Sequence, residues 1–331
     1  MSRSVRWIKR ILKIVASLAI IGILILSAFR FAASRRESRT SREAAPSTGR
    51  FVKAGDVEIY LQEAGSGSGA PVVFVHGTGA WSETWRDSIN ALTAAGFRTV
   101  AIDLPPFGFS EKPGNGSYSL EAQAKRIVGV LDALDLNKAI LVGHSFGGGP
   151  TVEAALMRTD RIKSLVLVDA ALGLEAQSSD APAIQRVFLS VTPLRDAVAA
   201  ATITNPMFTK TFLKMFLFKK DAATDTRVAI YQRPFVVEGS TKAVSAWLPS
   251  FLSSQQVARS LDPGSYANLT MPVSLIWGAQ DTVTPLSQAE HLKQLIPHAE
   301  LTVLHDIGHI PQVEDQARFN EALLNFLTEH K

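Results

Sequence analysis

The sequence predicts an α/β protein: a mostly parallel sheet with helices on both faces, preceded by one helix long enough to cross a membrane. Three observations carry this. Short apolar runs alternate with stretches whose apolar residues recur at helical spacing, the pattern of strands joined by crossover helices. The alternation lapses over residues 172–265, which read as a helical insertion after the sixth strand. Ile11–Phe29 is apolar apart from Lys13, Ser17 and Ser27.

The N-terminal run comes first. Nineteen residues rising 1.5 Å each make roughly 28 Å of helix, close to the thickness of a bilayer's hydrocarbon core. Lys13 lies near one end, where its stem reaches the interface. Residues 1–33 are therefore read as a basic segment and membrane anchor, with the span at about 11–29. The competing reading is a cleaved signal peptide, with Ala32, Ala33 and Ser34 as small residues for processing. Five cations, counting Lys13, stand at the leading end of the span and five follow it, so the flanking charge does not orient it. A lone N-terminal anchor usually leaves its domain outside the cytoplasm, and that is the expectation. Residues 34–50 are polar and basic and read as a flexible linker. A chain beginning near Gly49 is accordingly expected to be soluble, folded and active.

Beyond the linker the elements follow in order. Val57–Leu61, Val72–Val75 and Thr99–Ile102 read as strands. A helix bearing Trp85, Ile89 and Leu92 stops at Gly96. Ser119–Leu134 is helical, with Leu120, Ala124, Ile127 and Leu131 on one stripe. Ala139–Val142 is a strand, Phe146–Arg158 a helix and Ile162–Val168 a strand. After the insertion come strand Val273–Trp277, helix Leu286–Leu295, strand Leu301–Leu304 and a last helix through Phe319, Leu323 and Phe326. The core is then 51–171 with 266–331, and the cap is 172–265.

Composition narrows the function. Of 331 residues, 46% are hydrophobic and 19% charged, which suits a globular core. Residues 1–50 hold eleven Lys/Arg and two Asp/Glu, a net +9. The whole chain is +4, so the remainder carries −5. The basic character thus belongs to the membrane-proximal end, and nucleic-acid binding has little electrostatic support. There is no cysteine, which removes thiol nucleophiles, disulfides and Cys-ligated zinc.

The chemistry concentrates in Gly143-His144-Ser145-Phe146-Gly147, a G-x-S-x-G set between a strand and a helix. A serine on so sharp a turn needs neighbours without side-chain bulk, and the turn lifts its hydroxyl above the sheet. From this point the chain resembles the α/β-hydrolase superfamily, in its lid-bearing serine branch, over about Phe51 to Lys331. Phe74-Val75-His76-Gly77-Thr78-Gly79 is similar to the segment that supplies an oxyanion-hole amide. Asp103 to Ser110 is similar to the loop after the fourth strand, departing at Pro106 where glycine is common. Asp281, in Trp277-Gly278-Ala279-Gln280-Asp281, and His309, in Gly308-His309-Ile310-Pro311, stand where that family places its acid and base. The resemblance implies an eight-stranded sheet, a triad of Ser145, His309 and Asp281, an oxyanion hole at the amides of Phe146 and Thr78 with Gly79 in reserve, and no cofactor or metal.

The mechanics ask for the same residue types. A serine hydroxyl is a weak nucleophile; it needs a base, and the base needs a carboxylate to fix its tautomer. Of seven histidines, His305 is the rival to His309 for the base. His76 and His144 read as loop residues that pack or bond backbone, His291 and His298 as surface groups, and His330 as part of the tail. Asp169, which ends the strand before the insertion, and Asp306 are the alternatives to Asp281.

A serine at the elbow disfavours dehalogenation and epoxide opening, which place Asp there, and suits acyl transfer. Hydrolysis of a carboxylic ester of a small or apolar substrate is the first expectation. Carbon–carbon bond hydrolysis by the same triad is the alternative, and a non-catalytic binding protein of this fold is a third reading. Phe208, Phe212, Met215 and Phe216 recur at helical spacing in the cap. They read either as a lid helix that meets lipid or greasy substrate, or as an ordinary face packed on the core. Tyr231, Trp247 and Phe251 are candidates to line the pocket.

Overall fold

The computed structural model describes residues 3–114, 116–174, 188–252 and 257–330. Parts of the expected cap, 175–187 and 253–256, lie outside the described residues. Eight strands make one sheet: β1 (Gly49–Ala54), β2 (Val57–Ala64), β3 (Pro71–Val75), β4 (Arg98–Ile102), β5 (Ala139–His144), β6 (Ile162–Val168), β7 (Val273–Gly278) and β8 (Glu300–Leu304). Their spatial order is β1-β2-β4-β3-β5-β6-β7-β8. β2 pairs antiparallel with β1 and β4, and all other neighbours are parallel. The chain leaves β3 toward β4 on one side and leaves β5 toward β6 on the other. That divergence opens a crevice at the carboxyl ends of β3 and β5, the place where sheets of this kind bind ligands.

Helices cover both faces. α3 (Arg86–Ala94) and α12 (Gln316–Glu329) bury Ile89, Leu92, Phe319, Leu323 and Phe326 against one face, beside Trp85. α4 (Leu120–Ala133), α5 (Gly148–Met157) and α10 (Leu286–Leu295) cover the other with Ile127, Leu131, Val152 and Leu292. Ser119 caps α4 by accepting from the Ala122 amide, which starts the helix where the sequence places it. β5 is buried along its length, as an apolar run covered on both faces should be.

The insertion between β6 and β7 is helical. It contains α6 (Thr192–Ala201), α7 (Pro206–Phe216), α8 (Asp225–Gln232) and α9 (Ser240–Leu252). Asn205 caps α7, with Pro206 in the first turn where its missing N–H costs nothing. A short helix, α11 (Pro311–Glu314), follows the loop after β8.

α1 (Arg3–Arg36) is a single helix, long and apolar enough by length and composition to cross a membrane. Ile11, Leu18, Ile20, Ile23 and Leu24 on it are exposed. Its last turns differ: Ala33 is fully buried, and Ser27, Arg30, Phe31 and Ser34 lie against Thr192, Pro193, Asp196 and Ala197 of α6.

Residues 34–50 depart from the expected flexible linker. Arg36 Nε donates to the Phe235 carbonyl at 3.1 Å, and Glu37 Oε1 accepts from the Thr241 amide at 3.1 Å and from its hydroxyl. Thr40 and Glu43 form a reciprocal capping box on the short α2 (Ser41–Ala44). The Tyr60 hydroxyl donates to the Pro46 carbonyl, and β1 begins at Gly49. The polar residues that suggested a solvated stalk are spent on caps and on bonds to the cap domain. β1 was invisible for a related reason: it is an edge strand with a mixed exposure pattern.

Candidate active site

Ser145 directly follows β5 and opens a single 3₁₀ turn with φ of 49°, a left-handed conformation that a side chain adopts only where the surroundings hold it. The flanking glycines are required by space. A Cβ on Gly143 would lie 2.6 Å from Thr151 Oγ1, and one on Gly147 would lie 2.6 Å from the His76 carbonyl. The sharp turn leaves the hydroxyl at the crevice, and α5 follows with its first N–H groups unpaired within the helix.

His309 lies in the loop after β8. Its Nε2 is 2.8 Å from Ser145 Oγ, and its Nδ1 is 2.7 Å from Asp281 Oδ2. With Nδ1 carrying the proton toward the carboxylate, Nε2 is left to accept from the serine hydroxyl. All three residues are buried. Asp281 also accepts from the Thr284 hydroxyl at 2.6 Å, and from the amides of Val283 and Thr284 at 2.7 and 3.1 Å. Burial alone would raise this carboxyl. The His309 bond and charge, with Thr284 and Val283, outweigh it and hold Asp281 below the usual carboxylate range.

The structure thus brings together Ser145, His309 and Asp281 from three separate loops. Asp306 and His305 are exposed and outside these contacts, and the His305 carbonyl accepts from Arg318 at the surface. Asp169 is fully buried beside Asp281, but its Oδ1 accepts from the Gly278 amide and not from His309. The other loop histidines bond backbone as expected. His144 Nε2 donates to the His309 carbonyl at 2.7 Å. His76 accepts from the Leu104 amide at Nε2 and donates from Nδ1 to the Gly77 carbonyl. Burial pushes His144 down to about 3, with His309 adding to it, and His76 down to about 4, so both are neutral spacers.

Thr78 lines the same cavity as Ser145 and His309, and Phe146 follows Ser145 within the 3₁₀ turn. The Ala80 amide is taken by the Gly77 carbonyl.

The cavity holds about 250 Å³. The inner face of α7 lines it with Thr209, Phe212, Leu213 and Phe216, while Met207 and Met215 face outward and Phe208 is partly exposed. Tyr231 and Phe251 line it as well; Trp247 instead packs behind, against Phe107, Phe146 and Phe251. Among the described lining residues there is no Lys, Arg, Asp or Glu.

Two supporting residues escaped sequence reasoning. Thr284 bonds Asp281, and the only hint was a threonine three residues after an aspartate, the spacing of a local side-chain turn. Glu314 accepts from the Gly308 amide through Oε1 and from the Phe218 and Lys219 amides through Oε2. It joins the His309 loop to the end of α7, and no local sequence signal marks it.

Residues 70–316 match the family described as alpha/beta hydrolase fold. The chain is 30% identical over 86% of its length to 2-hydroxymuconate semialdehyde hydrolase of Pseudomonas sp. (strain CF600), covering 95% of that protein. It superposes with TM-score 0.68 and 27% identity on a mutant of the meta-cleavage product hydrolase of Pseudomonas fluorescens IP01, over 86% of this chain and 99% of the other. A membrane phospholipase A shares the fold over 99% of both chains, with TM-score 0.68 and 21% identity.

Proposed function

This chain belongs to the α/β-hydrolase fold family, and on that premise we propose that it is a membrane-anchored serine hydrolase of carboxylic esters with an apolar acyl group. Ser145 attacks the ester carbonyl while His309 takes its proton and Asp281 stabilises the imidazolium. The amides of Phe146 and Thr78 receive the charge on the carbonyl oxygen. His309 returns the proton to the leaving alcohol, and water then releases the acyl group by the same steps in reverse order.

One observation carries the choice of substrate: the cavity over Ser145 is roofed by Phe212, Leu213, Phe216 and Phe251 and has no Lys, Arg, Asp or Glu in its described lining. An apolar chain is stabilised there by burial, at about 25 cal/mol per Å² removed from water. An anion would lose its hydration without a compensating cation.

The second reading is carbon–carbon bond hydrolysis by the same three residues, and the comparisons support it better than they support ester hydrolysis. Relatives at 28–30% identity are named as hydrolases of 2-hydroxymuconate semialdehyde and of 2-hydroxy-6-oxo-2,4-heptadienoate. The latter name denotes a carboxylate, for which the described lining offers no cationic partner. Side-by-side rates on p-nitrophenyl esters of increasing acyl length and on a meta-cleavage product decide between them. Ester turnover that rises with chain length supports the proposal; turnover of the ring-cleavage product alone replaces it with the second reading.

The anchor reading rests on α1. Its outer turns expose apolar side chains, whereas its inner end is buried on α6 and bonded to Phe235 and Thr241 through Arg36 and Glu37. Removal of this helix as a signal would uncover that contact.

A further inference from the structure

Asp169 follows β6 with φ of 41° and is fully buried. Two contacts from this one residue brace the turn that carries Asp281. Its Oδ1 accepts from the Gly278 amide at 2.9 Å, and its carbonyl lies 3.1 Å from the Thr284 hydroxyl, sharing the one proton that this hydroxyl gives to the nearer Asp281 Oδ2. Gly278 and Thr284 bound that turn on either side of Asp281. The remaining oxygen, Oδ2, is buried and receives no donor among the described residues, so it is the oxygen left to carry a proton.

An oxygen of Asp169, an oxygen of Asp281 and a ring nitrogen of His309 all lie within 4.8 Å of one another. Two carboxyl groups so close, both out of water, do not ionise together. Hydrogen bonds decide which one keeps the charge. The Asp281 carboxylate receives the Val283 and Thr284 amides, the Thr284 hydroxyl and His309 Nδ1. The Asp169 carboxyl receives one amide. The charged groups that act on Asp169 are both carboxylates, Asp281 and the more distant Glu314, and among the described residues no cation pairs with it. Burial first, then the Asp281 charge, pushes its carboxyl well above the usual range.

We propose that Asp169 is a positioning residue of this site: a neutral carboxylic acid that holds the Gly278–Thr284 turn and directs its proton toward Asp281, so that Asp281 alone presents negative charge to His309. The arrangement lowers the basicity of Asp281 and keeps the shared proton on His309 Nδ1. It rests on the reading of Ser145, His309 and Asp281 as the triad, which labelling of Ser145 by a fluorophosphonate tests separately.

The test measures kcat and KM of the detergent-solubilised full chain on p-nitrophenyl butyrate across about pH 5 to 9, for wild type, Asp169→Asn and Asp169→Ala. An amide mimics a neutral acid, accepting from Gly278 and donating toward Asp281. Asp169→Asn is therefore expected to keep kcat within about threefold, with the acid-side fall of kcat/KM at an unchanged pH. Asp169→Ala is expected to lower kcat by about tenfold or more with KM within about twofold. Two results overturn the proposal. One is an acid-side fall displaced by about one pH unit in Asp169→Asn, the mark of a lost charge. The other is full kcat in Asp169→Ala. If the alanine variant does not fold, the asparagine profile decides alone. Failure of wild type to label at Ser145 would instead remove the triad reading itself.

Discussion

The backbone amide of His309 donates to the carbonyl of Phe216 at 2.9 Å, so the candidate base and the last residue of the helix that roofs it are joined directly. Glu314 reinforces the joint by accepting from Gly308 on one side and from Phe218 and Lys219 on the other. The cap is therefore part of what fixes the imidazole, as well as a cover for the pocket. Glu314→Ala leaves three amides without their acceptor, a loss of about 2–4 kcal/mol. At this chain length that corresponds to a fall in Tm of roughly 3–6 °C. Glu314→Gln, which keeps one acceptor oxygen, should fall less. Thermal unfolding of the three proteins checks the order.

Asp281→Asn should cost far more activity than Asp169→Asn. An amide at 281 cannot stabilise the imidazolium and favours the wrong tautomer, a loss of about 10⁴ in the best-studied triads. Comparable losses in the two variants would move the acid to Asp169.

Asp169 also predicts a pH-dependent stability. Its folded-state carboxyl is raised well above the unfolded value, so between the two the native state binds more protons than the unfolded one. Its contribution is thus fully present below the ordinary aspartate value of about 4 and is lost as pH rises toward the folded one. Replacing it with asparagine removes that loss. The difference in Tm, Asp169→Asn minus wild type, should grow more positive from about pH 4 to pH 8. A constant difference would mean that the carboxyl ionises normally.

The cavity wall predicts chain-length selectivity. Phe212→Ala should move the optimum of kcat/KM to longer acyl chains and lower it for short ones, because the space vacated by the ring is refilled only by a longer substrate. A rate profile on p-nitrophenyl esters that does not move would take Phe212 out of the acyl path.

Truncation separates the anchor from its inner end. A chain beginning at Gly49 loses Arg36, Glu37 and the Thr40–Glu43 capping box, and with them the bonds to Phe235 and Thr241. Phe235 lines the cavity, so this chain should be less stable and less active than one beginning at Ser34. Detergent-free solubility, Tm and ester turnover of the two chains test this against the sequence-based expectation of an active Gly49 chain.

Much of this was legible in the sequence, for identifiable reasons. The inner strands are buried on both faces and so read as unbroken apolar runs, which place the loops bearing Ser145, Asp281 and His309. The elbow glycines were legible because no side chain fits beside Thr151 or the His76 carbonyl. Residues 34–50 were misread because a polar composition does not distinguish solvation from capping and pairing. Thr284, Glu314 and the bracing part played by Asp169 act through contacts far apart in the chain or through side-chain bonds local to one short turn. One sequence carries little trace of either.

Ser145→Ala and His309→Ala should each lower kcat by about a thousandfold or more while leaving Tm near that of wild type. The central claim, that Ser145 is a nucleophile activated by His309, is tested most directly by reacting the full chain with a fluorophosphonate and mapping the modified peptide by mass spectrometry. One adduct on Ser145 is predicted, absent in Ser145→Ala and slowed by orders of magnitude in His309→Ala. An unmodified Ser145 in the folded wild-type chain, or equal labelling in His309→Ala, would contradict it.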